Sequence, residues 1–156
     1  MKTTIVEIDG QRYELRKMLA ATGGYIWQRI QVACLRAAEE RDPNRKVQAE
    51  SAQELADALN RPPEERMRGV CALAYMYLTF ADYEFMLTAA MRATSRFNDA
   101  GMPMPVMAHD GRWAGGTEDL EENPALATRV MTESLAFNLH PYLAVRSELP
   151  QKSPTA

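Results

Sequence analysis

The chain predicts a mainly α fold, a helical domain with a small N-terminal antiparallel β-hairpin, a long central helix and a long irregular loop. Three observations carry it. Asp9-Gly10 stands between two alternating runs, residues 62–93 read as one helix, and residues 95–123 hold Gly101, Pro103, Pro105, Gly111, Gly115 and Gly116, too many to allow a continuous helix. The expected organisation is one domain over 1–145, with the hairpin at 3–16 and helices at about 17–41, 52–59, 62–93 and 124–139, then a disordered tail at 146–156.

Asp-Gly between alternating strands is a strong hairpin signal, because a type I′ turn needs positive φ at both central residues. Val6, Ile8, Tyr13 and Leu15 fall on one face, which must dock on a helix or another subunit, since a lone ribbon is marginal in water. From Lys17 to Arg41 the period becomes helical, with Ile26, Ile30 and Cys34 on a stripe beside Trp27, Ala33 and Ala37 and an interruption expected near Gly23-Gly24. Ser51 and Glu54 have capping-box spacing before Leu55 and Leu59. Pro62-Pro63 can open the next helix, where a missing N–H costs nothing, and Glu64 and Glu65 suit the positive end of its dipole. Asn123-Pro124 is a cap and first-turn proline for the last helix, which His140-Pro141 is expected to stop.

The central stretch sets the functional question, because thirteen consecutive positions, Gly69 to Ala81, carry no charge. Met67, Cys71, Ala74, Leu78 and Phe85 form one row, and Val70, Leu73, Tyr77, Phe80 and Leu87 a second, so most of the helix circumference needs cover. Each large side chain left bare forgoes about 1.5 to 3 kcal/mol. These rows are either the core or, with Met67, Met76, Met86 and Met91 nearby, a contact for another helix or copy, since methionine serves both uses. The loop holds a possible second hairpin at Val106–Ala108, Asp110-Gly111 and Arg112-Trp113, and Met102, Met104, Met107 and Trp113 form a candidate exposed apolar cluster. The candidate protein-interaction residues are Met67, Val70, Leu73, Tyr77, Leu78, Phe80, Met86, Met91, Met104, Met107 and Trp113.

Other classes find little support. A net charge of -3 and no local basic patch argue against nucleic acid, and no run reaches the roughly 20 apolar residues of a membrane span. No signal-peptide pattern opens the chain, so a cytoplasmic protein with free Cys34 and Cys71 is expected. His109 and His140, the two histidines, sit in no catalytic motif, and His109-Asp110 lacks the further ligands of a metal site. Gly115-Gly116-Thr117 lacks the lysine of a phosphate loop, and Glu118, Asp119, Glu121 and Glu122 would repel an anion. No catalytic residue, cofactor or metal is assigned, and the expectation is a non-enzymatic protein.

The run Ile5-Val6-Glu7-Ile8-Asp9-Gly10-Gln11-Arg12-Tyr13, passing through Leu15-Arg16-Lys17 to a helix with Gly24-Tyr25-Ile26 and ending in a proline-bearing polar tail, resembles the tail assembly chaperones of long-tailed bacteriophages. The resemblance covers the first forty or so residues in style and the remainder in size and helical content. It implies a small helical factor in the host cytoplasm that binds the tape measure protein, helps the tail-tube protein assemble around it, self-associates and is absent from the finished particle. Two other readings stand beside it, a small interaction protein that inhibits a host protein, and a structural component retained in a larger assembly.

Overall fold

The computed structural model describes residues 2–40 and 60–148. The expected connector at 43–50, the capping box at Ser51, the helix at 52–59 and the end of the tail lie outside them. The described chain is helix-dominated but mixed. Its elements are β1 (Thr3–Ile8), β2 (Gln11–Arg16), α1 (Ala20–Glu40), α2 (Pro63–Tyr75), α3 (Phe80–Arg92), β3 (Thr94–Phe97), β4 (Pro103–Pro105), α4 (Glu118–Glu122) and α5 (Pro124–Glu148).

The hairpin forms as its turn chemistry requires, with Asp9 at φ 51° and Gly10 at φ 79°. Ile8 faces Gln11 across the turn, and the ladder runs back to Thr3 opposite Arg16. Tyr13 and Leu15 are fully buried and Ile8 nearly so. The hairpin is, however, only half of a four-stranded antiparallel sheet in the order β1-β2-β3-β4. The expectation of a long irregular loop over 95–123 is thereby corrected. Ser95 and Arg96 pair with Glu14 and Tyr13 of β2, and Met104 pairs with Arg96. These strands are short and are held by pairing with a distant partner, which composition cannot show. The second hairpin exists as one bridge, Met107 opposite Trp113, closed by Ala108 N–H to Arg112 O at 2.8 Å.

The single helix expected over 62–93 is two. α2 tightens into a last turn in which the Tyr77 N–H donates to Ala74 O at 2.9 Å, and α3 restarts at Thr79, whose Oγ1 accepts the Asp82 N–H at 3.1 Å. The break turns both halves onto α5. Tyr75 from α2 and Tyr83 from α3 meet edge-on at 6.1 Å, and each hydroxyl reaches a threonine of α5, Thr132 and Thr128, at 2.7 Å. Met67, Cys71 and Ala74 are buried as the first row predicts, but beyond the break the phase shifts, and Asp82, Met86, Ala90 and Met91 point inward instead. Buried Asp82 is compensated by Arg29 of α1 at 2.7 Å.

Two glycines thought to interrupt α1 lie inside it. A Cβ on Gly23 would touch Leu139 at 3.8 Å and one on Gly24 the Tyr142 hydroxyl at 3.5 Å, so the pair lies where α1 meets the far end of α5. Trp27 stacks on Tyr142 there at 5.3 Å. α5 starts as expected, with Asn123 Oδ1 accepting the Leu126 N–H at 3.2 Å. It does not stop at Leu139. Pro141 lies within it, and the acceptor that proline frees four residues earlier, Phe137 O, is taken by Lys17 Nζ at 2.6 Å.

Candidate functional site

The segment joining β2 to α1 positions the most developed surface feature. Asn138 of α5 grips it from both sides, accepting the Met18 N–H on Oδ1 at 2.8 Å and donating from Nδ2 to Arg16 O at 3.1 Å. Held this way, Lys17, Met18 and Leu19 form one bank of a groove of about 500 Å³. The other bank is the outer face of α3, with Phe85, Thr88, Ala89 and Arg92, and His109 also lines the groove.

Both banks carry bare apolar side chains. Leu19 is 79% exposed and Phe85 44%, with the Tyr25 ring edge-on to Phe85 at 4.9 Å. Leu19 occupies the position before the first turn of α1, where its carbonyl accepts the Gly23 N–H at 3.0 Å but its side chain can cap nothing. The rim is cationic. Arg16 donates to Arg92 O at 3.0 Å and lies 3.8 Å from Glu14, whereas Lys17 and Arg92 have no ion-pair partner among the described residues. Lys17 Nζ also stands 3.9 Å over the Phe137 ring, and burial, followed by the charge of Lys2, lowers its pKa. Among the described residues no carboxylate lines the groove. Bare leucine and phenylalanine between fixed cations suit non-covalent capture of a surface that is apolar at its centre and acidic at its margins.

Sequence reasoning found Phe85 as part of a helical row but not Arg16, Lys17, Leu19 or Arg92 as its neighbours. One signal was available, since a leucine ahead of a first helical turn contributes no cap and must be accounted for otherwise. The predicted interaction residues are dispersed. Met67, Met86, Met91 and Met107 are buried in the core of the chain, which removes them as a contact surface. Val70, Tyr77, Leu78 and Trp113 are half-buried against that core, and Leu73 is half-buried. Phe80 is 79% exposed at the start of α3 and Met104 52% exposed on β4, so the pair stays open without sharing a site. The expected exposed cluster of Met102, Met104, Met107 and Trp113 is therefore split.

The remaining candidates resolve locally. The Gly116 N–H, which might have met an anion, donates to Glu118 Oε1 at 3.2 Å, and its carbonyl accepts from Arg96. No group of three or more metal-ligating side chains occurs among the described residues. Cys34 and Cys71 are free thiols, and burial pushes Cys71 up to about 12, so it carries almost no thiolate. No described helix is long and apolar enough to cross a membrane. No protein-family model matches the chain, and comparison with curated proteins and with solved structures finds no similar protein.

Proposed function

We propose that the chain is a non-enzymatic protein-binding factor of the phage tail assembly chaperone kind, which holds a helical segment of the tape measure protein until tail-tube protein assembles around it. The supporting observation is the groove between the β2–α1 segment and α3, where Leu19 and Phe85 lie open between Arg16, Lys17 and Arg92. An amphipathic client helix would lay its apolar face on Leu19 and Phe85 and its acidic flank along the cations. The buried row of Met67, Cys71 and Ala74 has no part in this, so the holding surface is smaller than a fully bare central helix would offer. A modest surface suits a client that must later be released.

The test is calorimetric titration of the purified chain with an acidic, amphipathic tape-measure fragment. Leu19→Asp and Phe85→Glu each remove an apolar anchor and add a repelling charge. Each should weaken binding by about tenfold or more, since about 1.4 kcal/mol is tenfold and a buried large side chain is worth about 1.5 to 3 kcal/mol. Binding should also weaken with added salt, because the cations are at the surface. Met104→Glu, on the sheet edge, should leave it unchanged. Equal affinity for all these variants, or none for the parent, would remove the reading.

A further inference from the structure

The two edges of the sheet are built differently. Ladder geometry says which backbone groups each edge leaves open. The Arg16 N–H donates to Ala93 O at 2.8 Å, so the even residues of β2 bond toward β3 and the odd ones toward β1. The partners of those odd residues are Thr4 opposite Leu15, Val6 opposite Tyr13 and Ile8 opposite Gln11. Thr3, Ile5 and Glu7 must then turn their N–H and C=O groups to the open side. On the opposite edge, Val106 N–H donates to Thr94 O at 3.3 Å and Met104 faces Arg96, so the outward positions of β4 are Pro103 and Pro105. Neither has an N–H to give. One edge is stripped of donors, as natural sheets do to avoid pairing, while the other keeps a regular row with no proline and no bulge.

We propose that the β1 edge, unpaired among the described residues, pairs antiparallel with the β1 edge of a second copy, about a two-fold axis at Ile5. A two-fold axis normal to the sheet keeps each side-chain face on its own side, so opposed residues must share a face. The register centred on Ile5 satisfies this. It sets Ile5 opposite Ile5, Thr3 opposite Glu7, Thr4 opposite Val6 and Lys2 opposite Ile8, with the outward-turned groups of Thr3, Ile5 and Glu7 meeting their own kind. Ile5 is 50% exposed, and this pairing covers it with its own copy. The faces set the antiparallel sense, because a two-fold axis running along the strands would turn the buried face of one copy to the solvent side of the other. Space is present as well. A hollow of about 520 Å³ runs beside the edge, lined by Val6, Ile8, Ala72, Tyr75 and Thr132 among others, where the incoming Thr4 and Val6 can settle. The inference does not depend on the client groove, which lies elsewhere on the molecule.

The experiment uses the full chain carrying Cys34→Ser, which removes the half-buried thiol. Light scattering should give twice the chain mass at high concentration, falling toward the monomer on dilution. Ile5→Pro deletes an outward N–H without touching the β1–β2 ladder, and should give a folded monomer by circular dichroism. Ile5→Cys should cross-link to a covalent dimer on oxidation or with a short bis-maleimide, because facing residues of a hydrogen-bonded pair stand about 5.5 Å apart, within disulfide range. Thr3→Cys, which faces Glu7, should cross-link far less. If Ile5→Pro failed to fold, the two cysteine variants would decide. A parent that stays monomeric, including one that instead takes an extended peptide on this edge, would overturn the proposal. So would equal cross-linking at Thr3 and Ile5, or a dimer that survives Ile5→Pro.

Discussion

Pro141 removes an amide hydrogen from the last third of α5, and the cost falls on Phe137 O, four residues back. Lys17 meets that cost from the other end of the chain, donating to the freed carbonyl and resting on the Phe137 ring. Lys17→Met keeps most of the apolar stem and loses the donor, so it should destabilise the protein by about 1 kcal/mol, read as a lower urea midpoint at unchanged slope. In a Pro141→Ala background the helix can supply its own N–H, and the same substitution should cost much less. The sequence shows that a proline lacks a donor and so reads His140-Pro141 as a stop. It cannot show that a lysine 120 residues before Phe137 supplies a replacement, which is why the end of α5 is not legible in it. The groove was hidden for a related reason. Leu19 and Phe85 are far apart in the chain, and only the grip of Asn138 on the β2–α1 segment brings them onto one surface.

At the level of elements, the break between α2 and α3 separates what periodicity can show from what it cannot. The apolar rows were legible because each helix keeps its own 3.6-residue period, and Met67, Cys71 and Ala74 are buried as the first row requires. The break itself is written in Thr79 and Asp82, spaced as a cap and its third residue, at the end of a stretch whose lack of charge suggests continuity. Thr79→Ala removes the oxygen that holds the Asp82 N–H and should lower stability by about 1 kcal/mol, measured by chemical unfolding. Thr79→Ser or Thr79→Asp should retain most of it. β3 and β4 were the least legible elements. Thr94–Phe97 is only four residues long, too short a run to stand out although Thr94 and Phe97 favour strands, and Pro103 and Pro105 argue against a strand anywhere but at an edge, which is where β4 lies.

Across the whole molecule, Arg96 ties the sheet to the segment that leads into α5. Its guanidinium reaches Asp119 of α4 at 2.6 Å, and this hydrogen bond holds the Asp119 carboxyl below its ordinary value of 3.8. A carboxyl lowered in the folded state contributes stability that is complete above its unfolded value and disappears as pH falls through the folded one. The parent should therefore lose stability as pH falls below about 5 more steeply than Asp119→Asn, which has no such proton to take up. Urea midpoints over a pH series would show the difference, kept small by the half-exposed position of Asp119. The proline-lined margin at β4 has a consequence for growth. A sheet with one live border can accept a single neighbour, and the joined pair then presents only dead borders to the solvent. Accretion would end at that stage, and the same strand that invites a companion would be shut away from forming fibres.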